Sequence, residues 1–182
     1  MLRGESIYLT PLDVANAETA RAWINDPEIN RWMLSGHIPV SRQAEEAFYE
    51  AVERNAAAGT GHVFEVRTLD GDRYIGNCGL DGVSLVHRTG EVGIVIGELA
   101  EQGKGYGADA IRTLLRFAFD TLGLHTVRIS YIEGNERAAH LYPKLGFSHA
   151  GRFREHVFLA GAYHDLVMLD MTEAEWREQR GK

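Results

Sequence analysis

The sequence predicts a mixed α/β (α+β) fold in which helices flank one central, mostly antiparallel sheet. Between residues 62 and 96 apolar residues alternate with period two, which is typical of strands. Between residues 108 and 122 they recur every three or four residues, which is typical of a helix. Strand and helix patterns then follow each other to the C-terminus. A chain of 182 residues has the length of one domain, so we expect a single domain over residues 1–182 with its core at about 7–171.

The N-terminal elements are predicted to be one strand and three helical segments. Residues 7–10 form the strand, and residues 14–24 form a helix that an Asp-Pro pair breaks. A short helical piece around Trp32 follows. Ser41 is expected to cap the last helix, which ends at Gly59 and places on one side Ala44, Phe48, Ala51 and Val52.

The middle of the chain is predicted to be an antiparallel meander. Its three strands cover residues 62–68, 73–86 and 89–96. Asp70-Gly71 joins the first two strands, because a two-residue hairpin turn favours residues that accept a positive φ. The second strand is expected to carry a bulge near Gly76, Gly79 or Gly82.

The C-terminal half alternates helices with strands. The clearest helix covers residues 108–122 and stops at Gly123. A second helix at residues 135–145 is expected to be capped by Asn135 and bent by Pro143, which cannot donate a backbone hydrogen bond. The remaining predicted elements are strands at residues 126–132, 150–159 and 163–171, and a short helix around Trp176.

The connection between residues 98 and 108 is the most informative segment. It follows a strand, opens a helix and carries three alternate glycines, Gly103, Gly105 and Gly107. Glycine lets the backbone approach a ligand, and the unpaired N–H groups of a helix N-terminus bind phosphate groups. The spacing does not match a Walker loop or a dinucleotide fingerprint. The segment therefore indicates a diphosphate site, with a plain strand–helix connection as the alternative.

Three segments resemble the GCN5-related N-acetyltransferase (GNAT) superfamily. Gln102-x-x-Gly105-x-Gly107 is similar to its acyl-CoA signature, and residues 135–147 (NERAAHLYPKLGF) resemble its second motif. Residues 158–165 resemble the end of the branch that acetylates ribosomal-protein alanine and spermidine. The resemblance implies the GNAT fold, a twisted sheet whose splayed central strands hold acetyl-CoA. It also implies acetyl-CoA-dependent transfer of an acetyl group to a primary amine, directly, through a tetrahedral intermediate.

The resemblance further implies where acetyl-CoA binds. The pyrophosphate would accept hydrogen bonds from backbone N–H groups of the signature loop, those of Gln102, Gly103, Lys104, Gly105, Tyr106, Gly107 and Ala108. The pantetheine arm would pair like an extra strand with the backbone of Ile94, Val95 and Ile96. Asn135 is expected to contact the pantetheine, although its role as a helix cap would also account for it.

The resemblance assigns catalytic roles to two residues. Glu91 matches a frequent base position, but a carboxylate is a weak base toward an alkylammonium, so the role needs burial or a water relay. The alternative is a strand glutamate that pairs with Arg88 or faces water. Tyr142 matches the acid that protonates the departing thiolate, with helix packing as the alternative, and Pro143 leaves its direction open. Trp32 lies in the segment that lines the acceptor pocket in relatives, with ordinary core packing as the alternative.

The composition limits the other functions. A net charge of −7 disfavours a nucleic-acid partner and suits a cationic substrate. There is no apolar run of membrane-spanning length and no signal-peptide core at the N-terminus, so we expect no membrane partner and a cytoplasmic location. Cys78 is expected to be a buried thiol. The eight histidines, His37 among them, lack metal-ligand spacing, so we expect no metal.

Two questions stay open at this level. The acceptor is a protein N-terminus, a polyamine or another small amine, and a homodimer is compatible with the resemblance. The alternative function is a catalytically silent acyl-CoA-binding sensor or interaction module on the same fold. A panel of amines in a thiol-release assay separates the enzyme from the silent module.

Overall fold

The computed structural model describes residues 1–35 and 38–181, so His37 lies outside the described residues. The strands are β1 (Leu2–Arg3), β2 (Ile7–Pro11), β3 (His62–Thr68), β4 (Tyr74–Ser84), β5 (Thr89–Ile96), β6 (Thr126–Ile132), β7 (Ser148–Leu159) and β8 (Ala162–Thr172). The helices are α1 (Ala17–Asn25), α2 (Pro27–Asn30), α3 (Arg42–Ala58), α4 (Tyr106–Arg116), α5 (Glu136–Lys144) and α6 (Glu173–Arg180). The predicted mixed α/β class is confirmed.

The eight strands form one sheet in the order β1-β2-β3-β4-β5-β6-β8-β7. All neighbours pair antiparallel except β5 and β6, which pair parallel through the crossover helix α4. The predicted strand bounds agree within two residues, but β1 was not predicted, because two residues are too few to show a period. The predicted bulge is confirmed at Gly82, where φ is +55° and the register between β4 and β5 shifts.

The helices differ from the sequence prediction at their ends. The expected helix at residues 14–24 is a 3-10 turn, Val14–Asn16, followed by α1. Helix α4 begins at Tyr106, two residues earlier than expected, and continues into a π-helical turn at Phe117–Thr121. No helix within the described residues is both long and apolar enough to cross a membrane.

The hydrophobic core lies between the sheet and α4. The α4 side chains Ile111, Leu114 and Leu115 are fully buried there against apolar residues of β2 to β6 and β8. Helix α3 packs elsewhere and buries Glu45, Tyr49 and Val52. The expected α3 face is therefore wrong at Ala44 and Phe48, which are both exposed, because the neighbouring stripe of the helix packs against the protein.

The central strands separate beyond their fourth pair. Strands β5 and β6 pair from Thr89↔Thr126 to Val92↔Ile129 and no further. Strand β5 nevertheless continues to Ile96, while β6 keeps pairing with β8 as far as Ile132. The backbone of β5 after Val92 thus has one edge without a strand partner among the described residues. This confirms the predicted splay of the central strands.

Candidate active site

The main cavity lies where β5 and β6 separate. Its volume is about 850 Å³, and residues from both halves of the chain line it. It collects eight of the residues that the sequence analysis singled out: Trp32, Glu91, Ile94, Val95, Ile96, Gln102, Asn135 and Tyr142. Most of these residues are distant in sequence. They come together because of the order of the strands in the sheet and the position of α5 beside the cleft.

The loop at residues 102–108 suits a ligand that binds through the backbone. Gly103 and Gly105 have φ of +78° and +92°, a region that side-chain-bearing residues rarely occupy. A Cβ on either glycine would meet no heavy atom of the described residues within 4 Å. Gly105 precedes the first turn of α4, whose N–H groups have no acceptor inside the helix. Gln102, the first residue of this loop, lines the cleft, and residues 103–108 follow directly after it.

The side chains of the loop are engaged by the protein. Gln102 donates from Nε2 to the Ile96 carbonyl at 2.7 Å, and its Oε1 accepts from Arg137 at 2.5 Å. Lys104 Nζ lies 3.0 Å from a carboxylate oxygen of Glu101. Because these polar groups are already paired, the donors that the loop offers to an anion are backbone N–H groups, as its glycines indicate.

Asp109 anchors the first turn of α4 to the N-terminal segment. Its carboxylate accepts hydrogen bonds from the backbone N–H groups of Glu5, Ser6 and Ile7. It also accepts one from the Ser6 hydroxyl, and the four distances are 2.7 to 3.2 Å. Desolvation opposes the charge, but these hydrogen bonds outweigh it and lower the pKa of Asp109. A Cβ on Gly4 would lie 2.6 Å from Asp109 Oδ1, so the backbone must approach closely here. The carboxylate thus holds in place the helix that carries the loop.

Tyr142 is buried on α5 and reaches the cleft. Its ring packs near those of Tyr131 and Phe147, with centroids 6.1 and 6.3 Å away. Burial raises the pKa of Tyr142 to about 12, so the phenol is neutral at physiological pH. Its hydroxyl makes no hydrogen bond to the described residues. Pro143 lies inside α5, yet the helix continues, and the Leu145 N–H donates to the Leu141 carbonyl at 3.1 Å.

Asn135 caps α5 as predicted. Its Oδ1 accepts the Ala138 N–H at 3.2 Å. The side-chain NH₂ group of Asn135 makes no hydrogen bond to the described residues, and Asn135 lines the cleft. One end of the amide therefore stabilises the helix, while the other end is available to a ligand.

Glu91 lies on β5 with both carboxylate oxygens engaged. Oε2 accepts from Arg128 Nε at 2.9 Å, and Oε1 accepts from the Ser130 hydroxyl at 3.2 Å. The suggested pairing with Arg88 is wrong, because Arg88 donates to the Gly123 carbonyl and pairs with Glu173 instead. The reason is the parallel β5–β6 register, which places Glu91 opposite Arg128. The carboxylate is partly exposed to the cleft and is held in a defined orientation.

Sequence reasoning missed Asp81. It lies directly across from Glu91 in the β4–β5 register, and both residues line the cleft. Desolvation raises the pKa of Asp81, and the negative charge of Glu91 raises it further. Unlike Glu91, the Asp81 carboxylate has no hydrogen bond or ion pair to the described residues. Two carboxylates therefore lie side by side beneath the cleft, which favours a positively charged ligand.

Aromatic residues enclose the cleft on the other side. Trp32 follows α2, and the Arg31 guanidinium lies 5.9 Å from the centre of its ring. A Cβ on Gly134 would lie 3.2 Å from Trp32 Cη2, so Gly134, at φ +99°, lets the indole approach the start of α5. Phe48 of α3 also lines the cleft, which accounts for its exposure.

Cys78 is buried, as predicted, on the β4 side of the cleft. Burial raises the pKa of the Cys78 thiol far above its usual range. A protonated thiol is a poor nucleophile, which disfavours an acyl-cysteine route.

Comparison with known proteins agrees with this geometry. Residues 6–148 match the acetyltransferase (GNAT) domain family. YdaF of Bacillus subtilis, provisionally named a ribosomal N-acetyltransferase, is 28% identical over 179 residues, which cover 97% of this chain and 96% of that protein. Spermidine N(1)-acetyltransferase of Escherichia coli is 27% identical over 169 residues, which cover 93% of this chain and 81% of that protein.

A solved structure shares the fold. Spermidine N-acetyltransferase from Vibrio cholerae, solved in complex with CoA and spermine, matches with a TM-score of 0.85 at 23% identity. The match covers 94% of this chain and 98% of that chain. Together with the family match over most of the sequence, the loop, the splayed strands and the converging cleft lead to one assignment. The chain belongs to the GNAT acetyltransferase family and is an N-acetyltransferase.

Proposed function

We propose that this chain transfers the acetyl group of acetyl-CoA to a cationic primary amine, a class that includes polyamines and protein N-termini. The observation that carries the proposal is the cleft between β5 and β6. It presents two carboxylates, Asp81 and Glu91, and the unpartnered hydroxyl of Tyr142. The cleft therefore offers a carboxylate that can accept a proton from an ammonium group and a phenol that can donate a proton to the thiolate of a thioester.

Acetyl-CoA fits the cleft through backbone groups. The first turn of α4 and the glycines before it offer N–H donors to the diphosphate. The edge of β5 at Ile94, Val95 and Ile96 offers N–H and C=O groups to the amide-containing pantetheine arm, as an added strand would. The free end of the Asn135 amide adds a side-chain donor. These donors explain why the side chains of Gln102 and Lys104 can be engaged elsewhere.

Glu91 is proposed to accept the proton of the ammonium group, directly or through one water. An alkylammonium has no lone pair, so it must lose a proton before nitrogen attacks the thioester carbon. Arg128 and Ser130 hold the carboxylate in place and leave it partly exposed to the cleft. Asp81 contributes a second negative charge that attracts and orients the cation before the proton leaves.

Tyr142 is proposed to protonate the departing thiolate. Nitrogen forms its bond to the acetyl carbon, the carbon–sulfur bond breaks, and the phenol proton goes to sulfur. Burial keeps the phenol protonated, and its hydroxyl has no competing acceptor among the described residues. Nitrogen loses its second proton to solvent as the tetrahedral intermediate collapses. After the products leave, one of the two nitrogen protons restores the Tyr142 phenol through solvent, and the other is released as the net proton of the reaction.

The acidic lining of the cleft restricts the class of acceptor. Among the described residues, four carboxylates line the cleft, those of Glu28, Asp81, Glu91 and Glu136, against two guanidinium groups, those of Arg31 and Arg137. This excess of negative charge supports a positively charged acceptor. A homodimer, a cytoplasmic location, a single domain and the lack of a metal requirement stay predictions.

The test is thiol release from acetyl-CoA with a panel containing spermidine, an alanine-initiated peptide and a neutral amide control. We expect release with at least one cationic amine, and a Glu91→Gln rate that falls most at pH 6 and recovers partly toward pH 9. Glu53→Gln, an exposed glutamate of α3 outside the cleft, serves as the matched control. Acetyl-CoA binding without release for any amine would support the silent binding module instead.

A further inference from the structure

Gly93 occupies a position where a strand does not favour glycine. It lies in the interior of β5, and glycine there weakens a strand because it loses more conformational entropy and packs no side chain. Interior strand glycines commonly mark a bulge, a tight bend or the close approach of a ligand or another backbone. Each of these explanations can be compared with the structure.

The backbone around Gly93 does not require glycine. The register with β4 runs without a shift through Leu80↔Val92, Gly79↔Gly93 and Cys78↔Ile94, so no bulge is present at this point. The φ of Gly93 does not lie in the positive region that favours glycine. Any L-residue can adopt this backbone conformation.

Packing inside the protein does not require glycine at this position either. A Cβ on Gly93 would meet no heavy atom of the described residues within 4 Å. Two nearby glycines behave differently. A Cβ on Gly79 would lie 2.7 Å from the His62 carbonyl oxygen, and a Cβ on Gly97 would lie 2.0 Å from Trp23 Cδ2. Packing explains those two glycines, whereas close approach of a ligand is the explanation that remains for Gly93.

The direction of the missing side chain identifies the ligand. Along β5, Val92, Ile94 and Ile96 face the hydrophobic core, so Gly93 faces the opposite side together with Glu91. This is the side on which Asp81 lies across from Glu91. Gly93 also follows directly after the last β5–β6 pair, at the point where the strands separate. The open space beside it therefore adjoins the carboxylates that suit the amine.

We propose that Gly93 is a specificity-determining position of the acceptor site. Its missing side chain leaves a channel across β5, in which the carbon chain of the amine lies while its nitrogen reaches Glu91. This inference rests on the proposed function and adds to it where the acceptor passes and what limits its width. A single added methyl group would narrow the channel, and a branched side chain would close it.

The experiment compares Gly93→Ala and Gly93→Val with the wild type, using spermidine, an alanine-initiated peptide and n-butylamine at saturating acetyl-CoA. We expect kcat/KM for the best of these amines to fall about tenfold with alanine and further with valine, since a change of one carbon in a fitted site is worth about 10- to 200-fold. The acetyl-CoA Kd, measured by calorimetry, is expected to stay within about twofold of the wild-type value. Thermal stability should be unchanged or higher, because alanine and valine suit a strand better than glycine.

Gly151→Ala is the matched control. Gly151 also lies in a strand without positive φ, and its Cβ would make ordinary contact with Met168 at 3.6 Å, away from the cleft. This variant should keep full activity. A wild-type kcat/KM in Gly93→Val would overturn the inference. A loss of acetyl-CoA affinity as large as the loss of kcat/KM would also overturn it, because it would mean that the thioester occupies the space beside Gly93. If the wild type releases no thiol with any amine, the proposed function fails as well, and that result is distinguishable from the other two.

Discussion

The signature loop and the floor of the cleft, for which we propose roles in the same reaction, are built in opposite ways. The loop, residues 102–108, is one continuous segment that offers backbone N–H groups, and its polar side chains are engaged by the protein. The floor brings together Asp81, Glu91 and Tyr142 from three separate elements, and it acts through side chains.

The difference shows which changes each region tolerates. The loop depends on positive φ at Gly103 and Gly105, so its function should be sensitive to backbone conformation and insensitive to most side-chain chemistry. The floor has ordinary strand and helix backbone, so its function should be sensitive to the removal of single functional groups. Four substitutions test this contrast, taken from the largest expected effect to the smallest.

Tyr142→Phe should have the largest effect on kcat, and it tests whether the floor of the cleft acts through its side chains. Removing the hydroxyl should lower kcat by about 100-fold, the low end of general-acid effects, because a thiolate is already a fair leaving group. Acetyl-CoA affinity should change little, since the lost hydrogen bond forms chiefly in the transition state. Steady-state and single-turnover kinetics measure both quantities, with Tyr163→Phe on the exposed β7–β8 hairpin as the control. A full rate with chemistry rate-limiting would remove Tyr142 from the mechanism.

Gly105→Val should break the loop. Valine at φ +92° is strained by about 1–2 kcal/mol, and its side chain enters the space beside the N–H donors. Acetyl-CoA affinity should fall at least tenfold, about 1.4 kcal/mol, by calorimetry. Gly161→Val is the control, because Gly161 has a similar φ of +84° and an equally open Cβ position in the distant β7–β8 turn. It should lose comparable stability and keep its affinity, and an equal loss of affinity in both variants would contradict the assignment of the loop.

Asp109→Asn should weaken the support of the loop in a pH-dependent way. The amide loses one acceptor oxygen and the charge, so we expect unfolding free energy to fall by about 2 kcal/mol at pH 7. The lowered pKa of Asp109 means that its stabilisation is complete above the ordinary value of about 4 and is lost as pH falls through the folded-state value. Denaturant unfolding from pH 7 to pH 3 should therefore show the two proteins converging at the acid end. A difference independent of pH would mean that the charge contributes nothing.

Pro143→Ala should have the smallest effect on the reaction. Alanine restores a backbone donor near the end of α5, and we expect a gain in stability of up to about 1 kcal/mol, less than the roughly 3 kcal/mol cost of proline in a helix interior. The Tyr142 ring is positioned by its contacts with Tyr131 and Phe147, so kcat should be unchanged. Parallel melting and rate measurements decide the matter, and a drop in kcat would show that the proline directs the hydroxyl.

The loop was readable from the sequence because its conformation is local. Alternate glycines, a preceding strand pattern and a following helix pattern lie within a few residues of one another, and each favours its conformation without distant contacts. The start of α4 was misplaced by two residues because Tyr106 and Gly107 carry no apolar period, although they are helical. The caps Asn135 and Ser41 were predictable for the same local reason.

The floor shows what only the tertiary structure decided. Glu91 and Tyr142 were identified through family motifs, but the pairing of Glu91 with Arg128 depends on the β5–β6 register. The position of Asp81 across from Glu91 follows from the bulge at Gly82, which shifts the register by an amount that the sequence does not specify. Gly93 follows directly after the last β5–β6 pair, and the sequence does not specify where that pairing ends. Backbone conformation depends mainly on neighbouring residues, whereas side-chain proximity depends on how distant segments pair and pack. The sequence by itself therefore determined the elements and the glycine-rich loop proposed to bind phosphate, and the assembled sheet decided the geometry of the proposed acceptor site.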